Sequence, residues 1–254
     1  MPRIRIAAVS DIHGNAPALR AVLADARKRG YDLMAQLGDA FSGPLWPSQT
    51  ADLLRSIDAV HVRGNHDTAL IDPALEPPVD ADRFALGELS SEVLDWIRTW
   101  PSALPVGSDA LLFHGSPQSA NYYLFDEAPH GDARLRPAAD IERDLADVTA
   151  RVCIGGHSHM QRLVEFSDGR VAVNDGSVGL PAFFEAQQGA VGRRHENGSH
   201  HARYALVDIG RDIVSVSFVA VDYDWHVARD KASREGFTDW AQWLSGRVGS
   251  MHRT

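Results

Sequence analysis

The sequence predicts an α/β chain of the α+β type whose β-sheets mix parallel and antiparallel strands. Two patterns predict it. Over residues 4–64, short apolar runs alternate with helical stripes, the signature of right-handed β-α-β crossovers and parallel strands. Over the last third, apolar runs follow one another through turns, which favours antiparallel pairing. A third pattern bears on function: polar residues able to bind metals collect where the predicted strands end.

Element by element, "IRIAAVS" (4–10) is a buried first strand. "APALRAVLADARKRG" puts Leu19, Val22, Leu23 and Ala26 on one helical face and closes on basic residues and Gly30. "YDLMAQLGD" gives a second strand ending in Gly-Asp, "PSQTADLLRSID" a second helix and "AVHVRGN" a third strand. Leu86, Leu89, Val93, Leu94 and Ile97 predict one further helix, and "DALLFHG" a strand. After a loop holding Tyr122, Tyr123 and Phe125, "PAADIERDLADVTA" reads as a helix and "RVCIGGHSH" as a strand. "QRLVEFSDGRVAVNDGS", "ARYALVDI" and "DIVSVSFVAVDYD" are strands joined by turns, and "REGFTDWAQWLSGRV" is a terminal helix. No repeat and no linker interrupts the chain, so residues 1–254 read as one domain, with 187–202 its most loop-like stretch.

Composition narrows the function classes. With 44% hydrophobic and 23% charged residues, the chain is of the ordinary globular kind. A formal net charge of −9 disfavours broad nucleic-acid binding, which needs a basic face. The single cysteine, Cys153, excludes an intrachain disulfide and points to a reducing compartment; in "RVCIGG" it reads as a buried, inert thiol. No apolar stretch is long enough to span a bilayer, so a cytoplasmic protein without a membrane partner is expected.

The strand-end residues are Asp11 and His13 in "SDIHGN", Asp39 in "LGDA", Asn65 and His66 in "GNHD", His114 in "FHGS", and His157 and His159 in "GGHSH". Ligand sites in open α/β sheets form at the carboxyl ends of strands. Singly, each motif is an ordinary turn or a hydrogen-bonded core histidine; five in this order exceed what packing requires. Two divalent ions held side by side repel each other, which calls for a shared anionic ligand. Only Asp11 and Asp39 bring negative charge to the set. Two carboxylates and a bridging hydroxide leave about one net positive charge, attractive to an anionic substrate. Further carboxylates would repel the substrate, which explains the amide and imidazoles.

The ordered set "DIH", "GD", "GNHD", "HGS" and "GHSH" resembles the calcineurin-like metallophosphoesterase superfamily over residues 4 to about 180, and "HGSP" with "NDGSVGLP" resembles its small bacterial and archaeal phosphodiesterase branch. The resemblance implies a four-layer α-β-β-α sandwich, two mixed sheets face to face with helices outside. It also implies a dinuclear centre: Asp11, His13, Asp39 and His159 on one metal, Asp39 bridging to a second held by Asn65, His114 and His157. His66 would be the catalytic histidine, assisted by Asp67 if that carboxylate holds its ring rather than capping a turn. The implied cofactors are two divalent ions, manganese first, with iron, zinc or nickel as alternatives.

Departures from the family pattern shape the substrate reading. "GDAFSGP" and "GNHD" lack the Asp-Arg and Asn-His-Glu of the phosphoprotein phosphatases. Asp175 stands where the phosphodiesterase branch has proline, and "QSANYY" and "LPAFF" replace its arginines. Asn65, His66, Tyr122 and Tyr123 are the candidate substrate contacts; Phe183 and Phe184 either join an aromatic pocket for a base or fill core. The expected activity is hydrolysis of phosphodiesters or small nucleotide-like compounds by a metal-activated hydroxide. A phosphomonoesterase and a dinucleoside polyphosphate hydrolase are the enzymatic alternatives. A non-catalytic scaffold of the same fold is disfavoured, because every ligand and the catalytic histidine are present. The partner is a small-molecule phosphate ester rather than nucleic acid, with oligomeric state left open.

Overall fold

The computed structural model describes residues 3–186 and 192–249. Its first half runs β1 (Ile4–Val9), α1 (Ala16–Arg29), β2 (Leu33–Gln36), α2 (Pro47–Arg55), β3 (Ala59–His61), α3 (Asn65–Ile71), α4 (Asp80–Glu88), α5 (Ser91–Arg98), β4 (Ala103–Val106) and β5 (Ala110–Phe113). Then come the two-residue strands β6 (Asp126–Glu127) and β7 (Arg134–Leu135), α6 (Ala138–Asp144), β8 (Val152–Gly155), β9 (Arg162–Glu165) and β10 (Val171–Asn174). The chain continues through β11 (Ala182–Glu185), β12 (Arg193–Glu196), β13 (Ala202–Ile209), β14 (Val214–Val221), α7 (Trp225–Arg234) and α8 (Thr238–Trp243).

Two five-stranded sheets carry the fold. The first has the order β14-β13-β1-β2-β3, with β1, β2 and β3 parallel and β13 antiparallel to both β1 and β14. The second has the order β4-β5-β8-β10-β9, parallel through β5, β8 and β10 and antiparallel at both edges. Strand alternation then makes the layers. Ile6 and Ala8 of β1, with Ala205 and Val207 of β13, meet Leu112, Val152, Ile154 and Val173 of the second sheet in an apolar seam between the sheets. On the other side of β1, Ala7 and Val9 pack with Leu19, Val22 and Leu23 of α1 and Leu54 of α2. Behind the second sheet, Phe113, Cys153 and Ala172 pack on Ile141 and Leu145 at α6. Cys153 is buried, and burial pushes its thiol up to about 11, as an inert side chain requires. The result is the expected four-layer α-β-β-α sandwich.

Several local expectations are corrected. The single helix over Leu86–Ile97 is two, because Leu89 and Ser90 take extended backbone between α4 and α5, and serine favours that position before a helix. Helix α6 stops at Asp144, short of the predicted stretch. The terminal helix is preceded by α7, whose 10 residues bury only Ala228 and Ala232. Within 187–202, residues 187–191 lie outside the described ones, but Arg193–Glu196 is a strand paired with β11, not loop.

Candidate metal centre

The parallel strands of both sheets point their carboxyl ends at one cleft. Asp11 and His13 follow β1, Asp39 follows β2, Asn65 and His66 open α3 after β3, His114 follows β5, and His157 and His159 follow β8. Every one of these residues except His66 is at least nine-tenths buried. Asp11, His13, Asp39, His157 and His159 have φ of 50°, 52°, 54°, 71° and 60°, and they are the non-glycine residues with positive φ among those described. The left-handed region costs a non-glycine residue about 1–2 kcal/mol, so the loops spend folding energy to aim these side chains inward. Glycine serves where backbones must touch: a Cβ on Gly64 would fall 2.1 Å from Asp39 Oδ1, and one on Gly156 2.3 Å from Ser10 Oγ.

Two clusters result, Asp11–His13–His159 and Asp39–His114–His157, each with its ligand atoms within 4.8 Å of one another. Hydrogen bonds fix the rings. His13 Nδ1 lies 2.7 Å from the Ser42 carbonyl, His114 Nδ1 2.7 Å from that of Leu37, and His159 Nδ1 2.6 Å from that of Leu180. Each Nδ1–H therefore donates outward and turns Nε2 toward the clusters, the support metal-binding histidines receive. His13 Nε2 and His159 Nε2 lie 3.2 Å apart as two acceptors facing each other, and Asp11 Oδ1, 3.2 Å from His159 Nε2, and His157 Nε2 are buried without a hydrogen-bond partner. Asn65 Oδ1 and Asp39 Oδ2 approach His114 Nε2 to 3.1 and 3.2 Å. Lone pairs crowded out of water need a cation, and this donor set of imidazole, carboxylate and amide suits a divalent transition metal.

Electrostatics gives the same answer. Burial opposes ionisation of Asp39, but His114 and His66 outweigh it and hold its carboxyl well below the usual range. Asp11 is likewise drawn down to about 2, against burial, by His159 and His114. Burial lowers His13 to about 4 and His157 to about 3, so both are neutral, the form that binds a metal. His114 is raised to about 10 despite burial, because Asp39 and Asp11 face it. A proton there marks the place where the cluster demands positive charge.

His66 stands apart from the clusters, its side chain 29% exposed to the cleft. Its Nδ1 lies 2.9 Å from Asp82 Oδ1, and its ring is 5.6 Å from that of His13. Burial works against its charge, yet Asp39 and Asp82 raise it to about 9. Asp67 does not touch the imidazole, contrary to one of the two expectations for it. Its carboxylate accepts from the backbone N–H groups of Asp39, Ala40 and Gly64, locking the β2 loop to the start of α3. The carboxylate that faces His66 is Asp82 of α4, which the sequence reading missed.

The aromatic expectations divide. Tyr123 lines the cleft with its ring 4.2 Å from His157, and Phe183 stacks on His195, 4.5 Å from His159. Phe184 also lines the cleft. Tyr122 does not line it: it is 41% exposed, donates to Asp144 and lies under Arg136. Other missed positions hold the ligand loops: Asp126 receives Ser158 and Arg162 beside His157 and His159, and Asp175 accepts from Ser10 behind Asp11.

A four-layer α/β sandwich with two buried ligand clusters at the ends of its parallel strands defines the metallophosphoesterase class. Residues 4–161 match the calcineurin-like phosphoesterase family, and the chain belongs to it, which makes it a phosphate ester hydrolase. It is 25% identical over 252 residues to an uncharacterised protein of Methanocaldococcus jannaschii, a match covering 94% of this chain and 96% of that one. A metallophosphoesterase of Sphaerobacter thermophilus has the same fold, with a TM-score of 0.74 at 23% identity over 96% of this chain and 100% of that one. A putative diadenosine tetraphosphatase shares it more distantly, at TM-score 0.51 and 15% identity, covering 85% and 93% of the two chains. Among the described residues no helix is long and apolar enough to cross a membrane.

Proposed function

We propose that the protein is a dinuclear, metal-dependent phosphodiesterase. Asp11, His13 and His159 would hold one divalent ion and Asn65, His114 and His157 the other, with Asp39 shared between them; manganese is the first candidate metal. The observation that carries this reading is the pair of adjoining clusters of imidazole and carboxylate, in which Asp11 Oδ1 and His157 Nε2 are buried without a hydrogen-bond partner. Bound there, the ions would polarise the phosphoryl oxygens and activate the attacking water.

The remaining steps belong to the chain's own groups. His66, held through Nδ1 by Asp82, presents the other side of its ring to the cleft and carries a proton at neutral pH. It donates that proton to the leaving oxygen, or stabilises charge on the phosphoryl oxygens. Two ions beside it would draw its pKa down toward neutrality, where a general acid works best. The His66 backbone N–H donates to Asp39 Oδ1, and Asp67 ties the start of α3 to the Asp39 loop, which together set the position of His66.

A diester is favoured over a monoester by charge. A diester brings one negative charge and a monoester about two at neutral pH. The described lining of the cleft holds no lysine or arginine to balance the second. Elemental analysis of protein purified without chelator, joined to hydrolysis of bis(p-nitrophenyl) phosphate and p-nitrophenyl phosphate, tests the reading. Two metal equivalents and faster diester cleavage are expected. Protein that neither holds nor takes up metal would overturn it.

A further inference from the structure

Beyond the ligand clusters, the cleft is a space of about 640 Å³ with walls of two kinds. One kind is aromatic and reaches the reaction centre. Trp240 of α8 sets its ring edge-on to that of the ligand His13, 5.7 Å between centroids, and Trp243 and Phe237 line the cleft beside it. Tyr123 and Phe183 stand against His157 and His159. The other kind is acidic: Glu76, Asp80, Asp82, Glu185 and Asp239 line the cleft besides the ligand Asp39. Two arginines meet this wall from behind without lining the cleft: Arg83 pairs with Asp80, and Arg193 lies over the Tyr123 ring and pairs with Glu185.

These walls bear on what surrounds the scissile phosphate. A flat aromatic group next to it finds a face to stack on within one residue of the metal clusters. Amino groups on such a ring find carboxylates to donate to. Further phosphates meet several carboxylates, with no lysine or arginine among the described lining residues to replace their lost counterions. We infer that the cleft selects a diester with a single phosphate and an amino-bearing aromatic base, stacked on Trp240, and rejects polyphosphate esters carrying the same base. The selecting wall is α8, which lies beyond the residues 4–161 that match the family. The inference rests on the phosphodiesterase reading of the same centre.

The wall is held in place independently of the metal ligands. Leu45, Ala228, Ala232 and Leu244 form a small buried cluster under Trp240 and Trp225, and Phe237 packs edge-on to Phe84 of α4. Helix α8 also packs against β11, the strand that carries Phe183. Both aromatic sides of the cleft are thus tied to one another.

Three esters test it on the metal-loaded protein: methyl p-nitrophenyl phosphate, adenosine 5′-(p-nitrophenyl) phosphate and P1,P4-di(adenosine-5′) tetraphosphate. Stacking of one base on an aromatic side chain corresponds to roughly a tenfold to hundredfold effect. The kcat/KM for the adenosine diester is expected about tenfold or more above the methyl ester, and about a hundredfold above the tetraphosphate. Trp240→Leu should bring the first ratio close to one, and Trp240→Phe, which keeps a ring, should hold it within about threefold. Melting curves establish that both variants fold. Equal rates on the two p-nitrophenyl diesters, an unchanged ratio in Trp240→Leu, or a tetraphosphate cleaved as well as the adenosine diester would each overturn the inference and leave the phosphodiesterase reading standing. Failure of the metal-loaded protein to cleave any diester would overturn both.

Discussion

Removing the metals should destabilise the protein by an amount the site itself sets. Without ions, the fold keeps Asp11 Oδ1 and His157 Nε2 buried without a hydrogen-bond partner, and holds five candidate ligand residues in left-handed backbone. These costs are offset only when cations occupy the clusters. A ligand present at about a hundredfold over its Kd stabilises a folded protein by about 2.7 kcal/mol, so two ions contribute about 5 kcal/mol. Unfolding entropy of about 2.1 cal/mol/K per residue gives about 0.5 kcal/mol/K for 254 residues. The melting temperature should then rise by about 10 °C between chelator-treated protein and protein with saturating manganese. His114→Ala removes a ligand from the second cluster and leaves Asp11, His13 and His159 in place. In that variant the metal-induced rise should fall to about 5 °C. Differential scanning calorimetry at matched ionic strength, with magnesium sulfate as a control for non-specific salt effects, reads both numbers. An unchanged melting temperature at saturating metal in the wild type would refute the argument that the clusters are built for ions. A full 10 °C rise in His114→Ala would refute the division into two sites.

Three further outcomes are expected. Asp39→Asn should retain less metal than Asp11→Asn, since the proposed bridge alone offsets repulsion between the ions; equal metal content by elemental analysis would remove Asp39 from that role. His66→Gln should keep both metals and lose about 10²–10⁴ in turnover, more for alkoxide than for nitrophenolate leaving groups, because only the former need a proton; a variant that sheds its metals would make His66 a ligand. Stability should fall below neutrality partly through His61, whose ring stacks on Trp100, meets Trp96 edge-on, and is lowered by burial to about 4. The unfolded chain, with its histidine near 6.5, binds more protons between pH 6.5 and 4, so this contribution is present above 6.5 and lost as pH falls through that window, up to about 3 kcal/mol. Urea midpoints of His61→Phe should therefore drop less between pH 7 and 5 than those of the wild type, and parallel profiles would dismiss the effect.

The candidate ligand set was legible because its residues fall in one order along the chain at strand ends, which are fixed by apolar runs that sequence displays well, and the fold brings them into two clusters. What the sequence hid is tertiary. Asp82 sits in "VDADRF", where an acid near a helix start is unremarkable; only the fold of α3 against α4 brings it to His66. Asp67 looked like a partner of the histidine beside it, but a helix turns neighbours to different faces, and its carboxylate instead meets the Asp39 loop. Tyr122 and Tyr123 were indistinguishable as letters, yet Tyr122 pairs with Asp144 outside while Tyr123 faces His157. His195 lay in a polar stretch that read as loop; strand pairing with β11 buries it and stacks it on Phe183. Helix α7 was missed because so little of it is buried that no apolar stripe announces it.

The centre thus divides its tasks among elements of different kinds. Charge is placed by strand ends, whose inter-sheet seam of Ile6, Ala8, Leu112, Val152 and Ile154 cannot shift without opening the core. The rings are aimed by backbone carbonyls, which no side-chain motion can withdraw. The proposed proton donor sits on paired helices, His66 on α3 beside the candidate ligand Asn65 and its partner Asp82 on α4. The proposed substrate wall is α8, resting on a cluster of four buried apolar residues. A core so small tolerates change, because little buried surface is lost when it is rearranged. The physical consequence is a gradient: substitutions should disturb metal binding least and substrate choice most as they move from the strand ends outward to α8.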